Sequence, residues 1–213
     1  MDVQTIHSRV LDISIDEDSS DNTLSTFILY AINAAYRDVY TLALKQAATY
    51  FETTETLSLT SGVVTLTDSA MKVILAKHDQ SDTVLQLSTK AEITAKDPGG
   101  TSTGTPLYYY VSDKDQKLHC WPTPTDGDTI TVQYIPEVAE LTLDSLESDI
   151  KFAPRHHDVL FYGAITKLSL YERGFTSERL KVDAEIQFQR RVGALMSELI
   201  NTNSPAPTTV SYY

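Results

Sequence analysis

Residues 50–67 read YFETTETLSLTSGVVTLT, and this stretch decides the fold because the hydrophobic period changes within it. Before Tyr50 the apolar residues recur every three or four positions, which is typical of helices. From Phe51 to Leu59 the pattern has a period of two, and Ser61-Gly62 then provides a turn before a second β-branched run. We therefore predict that a helical segment ends near residue 50 and that a β-hairpin follows it.

On the N-terminal side of this stretch the pattern predicts two helices. Val3, Ile6 and Val10 have helical spacing and indicate a short first helix, which the acidic stretch 16–21 ends. The second helix runs to about Gln46, and its apolar residues lie close to one stripe, so that it packs against another element.

On the C-terminal side, strand patterns continue to Pro136 and predict an antiparallel β unit of five to seven strands. Helices then resume, because Pro154 suits a first helical turn and Gly174 suits a helix end. A last helix reaches about Ile200, and the short connection before it indicates an antiparallel helix pair. The residues after it have no periodicity.

These patterns predict an α+β protein in which a β unit interrupts a helical bundle. The bundle contains the long N-terminal helix and the C-terminal antiparallel helix pair, from residues 1–49 and 150–202. Residues 50–149 form the inserted β-rich domain with an acidic linker. Residues 203–213 form an extended C-terminal tail.

The 213 residues carry a net charge of −12, and this charge is unevenly distributed. Residues 1–150 hold 23 acids and 9 bases, a balance of −14, whereas residues 151–213 hold 6 acids and 8 bases, a balance of +2. Such a chain is unlike a free-standing nucleic-acid binder, which needs a basic face. Two acidic blocks contribute much of the charge: Asp12, Asp16, Glu17, Asp18 and Asp21, then Glu137, Glu140, Asp144, Glu147 and Asp149. They are solvated loops, or they face a partner or a passing polyanion that must not bind.

Three features bear on where the protein works. Cys120 is the single cysteine, so an internal disulfide is impossible and a reducing compartment is expected. The sequence has no apolar run long enough for a bilayer, and its first residues lack the layout of a signal peptide. We expect a protein without membrane contact, made and used in a cytoplasm or in an assembly that forms there.

Motifs for catalysis or metal binding are weak, and we predict no enzyme, no metal and no cofactor. His156-His157-Asp158 is the most suggestive cluster, but adjacent helical side chains point about 100° apart and cannot easily share one metal. Cys120 lies in an alternating strand, which places the neighbouring His119 on the opposite face. The many carboxylates include no pair that their spacing selects, so a small hydrolase is the weakest alternative.

Two groups of residues have both a structural and a functional interpretation. Tyr108-Tyr109-Tyr110 and Trp121 either pack in the sheet or form a stacking platform for bases, sugars or a protein. The basic residues of the last helix are either part of a salt-bridged solvent face or a surface for an acidic partner, such as the acidic block of another copy. These basic residues are Arg179, Lys181, Arg190 and Arg191.

The order of elements resembles the head-to-tail adaptor (connector) proteins of tailed bacteriophages, especially those of short-tailed phages. The motifs that carry the resemblance are Ala34-Ala35-Tyr36-Arg37-Asp38, Thr56-Leu57-Ser58-Leu59-Thr60-Ser61-Gly62, Gly104-Thr105-Pro106-Leu107-Tyr108-Tyr109, Leu118-His119-Cys120-Trp121-Pro122-Thr123-Pro124, Thr129-Ile130-Thr131-Val132-Gln133-Tyr134 and Pro154-Arg155-His156-His157-Asp158-Val159-Leu160. They are similar to the family's motifs in order and spacing. Leu66-Thr67 departs from the family, in which Leu-Pro often follows the first hairpin.

This resemblance implies a virion protein of the phage neck, assembled in the host cytoplasm without catalysis or a cofactor. It implies a ring, usually of twelve copies, that docks beneath the portal protein, extends the channel for DNA ejection and supports tail or nozzle proteins. Genome DNA would pass through an acidic channel without specific binding.

The resemblance also suggests roles for three residue sets. Candidate channel or inter-subunit acids are Asp16, Glu17, Asp18, Asp144, Glu147 and Asp149. Candidate inter-subunit bases are the four basic residues of the last helix. Candidate contacts with the portal or a neighbouring copy are Pro205, Pro207, Val210, Tyr212 and Tyr213 in the tail. The competing hypothesis is a β module of a virion or cell-surface assembly that binds a protein or a glycan.

Overall fold

Two units divide the chain in the computed structural model, which describes residues 1–13, 22–112, 117–169 and 177–203. The first unit comprises Met1–Tyr50 and Val138–Tyr213, and the second comprises Phe51–Glu137. The first is helical, and the second contains two sheets of four strands each. The protein is therefore α+β, as the sequence predicts.

Four α-helices build the described part of the first unit. They are α1 (Val3–Ile13), α2 (Asn22–Ala47), α4 (Asp158–Leu168) and α5 (Glu178–Asn203), and a further helix, α3 (Lys90–Lys96), belongs to the second unit. Helix α4 packs against α1, α2 and α5, and α2 also contacts α1 and α5. Short 3-10 turns at Glu147–Asp149 and Pro154–His156 precede α4.

The predicted end of the second helix near Gln46 agrees with the bounds of α2, whereas the predicted helix end at Gly174 lies outside the described residues. Pro154 occupies the first turn of a 3-10 helix that leads into α4. The apolar stripe of α5 is buried at Ala184, Leu195 and Leu199. Among the described residues, every helix is too short or too polar to cross a membrane.

Helix α4 lies close to both α2 and α5 at Gly163. An added Cβ at this position would lie 2.7 Å from Cβ of Ala35 and 2.9 Å from the Phe188 ring. Real Cβ atoms do not tolerate such distances, so the absence of a side chain at Gly163 is what allows this packing.

Eight strands build the described part of the second unit. They are β1 (Thr53–Ser58), β2 (Val63–Thr65), β3 (Ala70–His78), β4 (Thr83–Val84), β5 (Gln86–Leu87), β6 (Tyr108–Ser112), β7 (Lys117–Trp121) and β8 (Thr129–Pro136). One sheet has the order β1-β8-β3-β4 and the other has the order β2-β7-β6-β5. One apolar cluster contains residues of both sheets, including Ala76 and Val132 from the first and Val64 and Leu118 from the second.

The predicted hairpin around Ser61-Gly62 is wrong in its pairing. Strand β1 pairs with β8 and strand β2 pairs with β7, so the two strands belong to different sheets. Only Thr60 and Val63 form a bridge across the turn. Gly62 has a φ of +74°, and an added Cβ would lie 3.2 Å from the Cys120 carbonyl oxygen, so this turn packs directly against β7.

One strand pair also departs from the all-antiparallel prediction, because β5 runs parallel to β6. A parallel pair needs a long crossover connection, and residues 88–107, which include α3, supply it. A Thr89–Glu92 capping box fixes the start of that helix.

Candidate interaction surfaces

Residues 138–153 are held against α2 by two side chains of that helix. Buried Asn33 donates from Nδ2 to the Leu141 carbonyl oxygen (2.9 Å) and accepts at Oδ1 from the Leu141 amide (2.8 Å). The Tyr36 hydroxyl accepts from the Lys151 amide (2.9 Å), and its ring packs edge-on against Phe152 at 5.5 Å. Burial raises the pKa of Tyr36 to about 12, so this side chain is neutral. The acidic segment thus has a defined backbone path.

Three of the predicted acidic residues lie on this anchored segment and are exposed. Asp144 is exposed, whereas the Glu147 carboxylate pairs with the amino group of Met1 and lies 3.9 Å from Nδ1 of His157. The Asp149 carboxylate accepts from the Leu146 amide at 2.7 Å. Asp144, Glu147 and Asp149 therefore lie on one anchored segment, while Asp16, Glu17 and Asp18 lie outside the described residues.

His157 is fully buried and ties two parts of the first unit together. Its Nδ1 lies 2.8 Å from the Met1 carbonyl oxygen, and its Nε2 lies 3.0 Å from the Phe152 carbonyl oxygen. Both neighbouring groups are backbone carbonyl oxygens, which accept hydrogen bonds. A neutral imidazole donates from only one of its two nitrogens. The arrangement joins the segment before α1 to the segment before α4 and leaves no ring nitrogen for a ligand.

The neighbours of His157 point to different partners. His156 places Nε2 2.9 Å from Oε2 of Glu198 on α5, and burial lowers the pKa of this imidazole. Asp158 pairs with Arg9 at 3.4 Å and with Arg191 at 3.1 Å. In the part of the chain that the structure describes, no group of three or more His, Cys, Asp or Glu side chains could hold a metal ion.

The four predicted basic residues of α5 do not share one environment. Arg191 is half-buried, pairs with Asp158 and lies 5.7 Å from the ring centroid of Tyr162. Lys181 is half-buried, whereas Arg179 and Arg190 are exposed. Of the four, only Arg179 and Arg190 are therefore exposed at the surface. The predicted tail contacts Pro205, Pro207, Val210, Tyr212 and Tyr213 lie outside the described residues.

The outer face of β6 and β7 carries four half-buried aromatic rings. Tyr110 stacks on His119 with a centroid distance of 4.7 Å and an interplanar angle of 5°. Tyr108 lies 5.9 Å from Trp121, and the Lys96 ammonium sits 3.7 Å from the Tyr108 ring centroid. The alternation predicted for residues 108–110 is confirmed, because Tyr109 belongs to the apolar core while Tyr108 and Tyr110 lie on the outer face.

Asp97 fixes one end of this aromatic face. Its Oδ2 accepts from the Ser102 amide (2.8 Å) and from Nε1 of Trp121 (3.2 Å). These hydrogen bonds lower the pKa of Asp97 to about 2. The carboxylate is thus ionised at neutral pH and orients the Trp121 indole.

Cys120 is suited to packing and not to nucleophilic catalysis. Its side chain is 6% exposed within the apolar cluster, and burial raises the pKa of the thiol to about 12. A thiol with such a pKa supplies almost no thiolate at neutral pH.

Sequence reasoning missed the residues that position these surfaces. Asn33 is a polar residue between Ile32 and Ala34 in the apolar part of α2. A polar residue among apolar neighbours was the signal that the sequence offered. Gly163 had no local signal, because its role depends on the distance to two other helices.

The sequence matches the family described as SU10 adaptor protein over residues 1–211. The match extends across both units. No curated protein matches the sequence.

Proposed function

Because this chain belongs to the SU10 adaptor protein family, we propose that it is the neck component that joins a phage head to its tail. The observation that carries the proposal is the family match over residues 1–211. The same match confirms the resemblance to phage head-to-tail adaptors. The protein acts as a structural adaptor, and its proposed role requires no catalysis.

In the proposed assembly, copies of the chain form a ring beneath the portal protein, with twelve copies as the expected number. The ring extends the channel for genome DNA and offers a platform to tail or nozzle proteins. It is assembled in the host cytoplasm and remains in the virion. Helices α1, α2, α4 and α5 form its bundle, with α4 and α5 antiparallel, and the β unit is an inserted domain.

The charge distribution supports a channel that does not bind DNA. Asp144, Glu147 and Asp149 are exposed on one segment, and a wall of such carboxylates repels phosphates. Contact with this wall would release no counterions, so DNA gains no affinity there. We assign the same role to Asp16, Glu17 and Asp18.

Binding to the portal protein tests the proposed function directly. The portal ring of the same phage is mixed with this protein, and sedimentation velocity measures the mass that joins the ring. We expect the portal boundary to shift to a heavier complex with a fixed number of added copies. A portal boundary that does not change at any protein concentration would exclude the adaptor role.

The tail is proposed as an arm that contacts the portal or a neighbouring copy. It contains Pro205 and Pro207 and ends in Tyr212-Tyr213, which offers apolar contacts that can order on binding. Deletion of residues 203–213 should reduce the mass added to the portal. Unchanged assembly after this deletion would remove the tail from the proposal.

The aromatic face of β6 and β7 favours a second candidate function, the binding of a protein or a glycan. One side of the sheet carries four half-buried rings, and such an arrangement is typical of stacking surfaces. The rings are those of Tyr108, Tyr110, His119 and Trp121. Glycan-array binding that is lost in the Tyr110→Ala variant would support this alternative. If the Tyr110→Ala variant still binds the portal, the aromatic face is not needed for the adaptor role, and the two functions are separate.

A further inference from the structure

Strand β1 forms an edge of its sheet that the described residues leave open. It pairs with β8 along its whole length, Thr53–Ser58, without any irregularity of register. In an antiparallel pair, every second residue turns its N–H and C=O away from the partner strand. Among the described residues, no hydrogen bond joins the backbone of β1 to any element other than β8. The outer edge of β1 can therefore accept another strand.

The other free edges of the two sheets carry features that hinder strand addition. Edge strands β2, β4 and β5 have only three, two and two residues. Beyond its pairing with β4, strand β3 has two irregularities of register and the exposed Lys72. Strand β1 contains neither proline nor lysine. Its one charged residue, Glu55, accepts from the Tyr134 hydroxyl (2.7 Å) and the Thr67 amide (3.2 Å). Strand β1 is thus the edge without such protection.

The last six residues of the chain have the composition of a β-strand. Thr208-Thr209-Val210-Ser211-Tyr212-Tyr213 consists of β-branched and aromatic residues apart from one serine. Pro205 and Pro207 precede this segment, and proline cannot donate a hydrogen bond to a sheet, so pairing can begin only after Pro207. The tail therefore contains a segment with strand propensity that is as long as β1.

The alternation of this segment also matches that of β1. The exposed side chains of β1 all carry hydroxyl groups, and they are those of Thr54, Thr56 and Ser58. On the other face of the strand, Leu57 packs against the apolar cluster. In the tail, Val210 and Tyr212 alternate with Thr209 and Ser211. An added strand with Val210 and Tyr212 on the face of Leu57 would extend the apolar side of the sheet and keep hydroxyl groups on the exposed side.

We propose that the tail of one copy adds its last six residues as a strand to the outer edge of β1 in a neighbouring copy. Ten residues follow Asn203, and an extended chain of this length reaches about 33 Å from the end of α5. The tail and β1 are different parts of the chain, so each copy gives one strand and receives one. Such a heterologous contact can continue around a closed ring. This inference rests on the proposed function, since the ring is the assembly that it explains.

Hydrogen exchange tests the strand addition. A chain without residues 203–213 is mixed with a synthetic peptide of those residues, and amide exchange is measured by NMR spectroscopy. We expect the outward amides of Thr53–Ser58 to exchange at least tenfold more slowly with saturating peptide. The short edge strand Thr83–Val84 is the internal control and should be unchanged. Absence of protection at β1 would overturn the proposal.

Two N-methylated peptides distinguish backbone pairing from contact by side chains alone. One peptide carries N-methyl groups at Thr209 and Ser211, and the other carries them at Val210 and Tyr212. The amides on only one edge of the added strand face β1. For one peptide, the concentration that gives half of the β1 protection should therefore rise at least tenfold, while the other should match the unmodified peptide. Equal effects of the two modifications would contradict strand pairing.

The full-length chain shows whether the contact joins two copies. Exchange measured by mass spectrometry should find β1 protected in protein assembled on the portal ring and unprotected in the free protein at low concentration. Protection in the free protein that does not depend on its concentration would place the tail on its own β1 and overturn the contact between copies. If the portal gains mass while β1 stays unprotected, the adaptor role stands and only the tail contact fails. If the portal gains no mass, the proposed function itself fails.

Discussion

At the scale of single residues, two glycines in the helical unit have opposite roles. Gly163 lies where α4 meets Ala35 and Phe188, and a Cβ there has no room. Gly193 lies mid-helix on α5, where a Cβ has open space. The first glycine is required by packing, whereas the second weakens the helix because glycine loses more backbone entropy than alanine does.

Alanine substitutions at these positions should therefore change stability in opposite directions. Gly163→Ala should lower the free energy of unfolding by about 1–3 kcal/mol, the usual effect of overpacking a close contact. Gly193→Ala should raise it by about 0.5–1 kcal/mol through helix propensity. Urea denaturation followed by circular dichroism at 222 nm measures both, and a stabilised Gly163→Ala variant would show that α4 does not pack as described.

Asp97 makes the aromatic face sensitive to acid. Its pKa in the folded protein is about 2, below the ordinary 3.8, so its stabilising hydrogen bonds are fully present above the ordinary pKa. They are lost as the pH falls towards 2. Because Trp121 is the only tryptophan, its fluorescence reports the loss directly.

We expect the Trp121 emission to change between pH 4 and pH 2 in the unsubstituted protein. The Asp97→Asn variant should already show altered emission at neutral pH. Asp82→Asn, which removes an exposed partner of Lys77, serves as the control and should leave the emission unchanged. An emission that is equal in all three proteins at every pH would refute the Asp97–Trp121 contact.

At the scale of elements, α2 organises the segment that carries the acidic residues. Asn33 pairs with both backbone groups of Leu141, and Tyr36 accepts from Lys151. The segment has little regular structure of its own. These hydrogen bonds therefore satisfy backbone groups that would otherwise need a strand or helix partner. Since buried backbone groups without partners are costly, the segment depends on α2.

Asn33→Ala should destabilise the protein by about 2–4 kcal/mol, because it leaves the buried amide and carbonyl of Leu141 without partners. Gln46→Ala on an exposed position of the same helix is the control and should change the unfolding free energy by less than about 0.5 kcal/mol. Differential scanning calorimetry measures both variants. An Asn33→Ala midpoint equal to that of the control would refute the anchoring role.

The elements also show which kinds of structure can be read from this sequence. Helix α2 and strand β7 were predictable, because a 26-residue stripe and an alternating run are local patterns. The partner of β1 was not, since nothing near Thr53–Ser58 indicates that β8 pairs with it 71 residues or more along the chain. The sequence identifies the acidic and basic candidates but not their partners. Only the structure shows that Arg191 faces Asp158.

At the scale of the whole molecule, each unit has apolar packing of its own. The β unit, Phe51–Glu137, contains a buried cluster drawn from both of its sheets. A segment of this size with its own core is large enough to fold as a domain. We therefore propose that the β unit is an independent domain inserted into the helical one.

Expression of residues 51–137 alone tests this domain proposal. We expect a folded fragment with a cooperative thermal transition and dispersed amide signals in its NMR spectrum. A fragment without these properties would show that the β unit depends on the helical residues for its fold.

We propose that the protein is a structural adaptor that forms a ring on the portal. Electron microscopy of the portal protein mixed with this protein tests it most directly. We expect a second ring on one face of the portal, coaxial with its channel. Portal rings with no added density, beside free monomers of this protein, would contradict it.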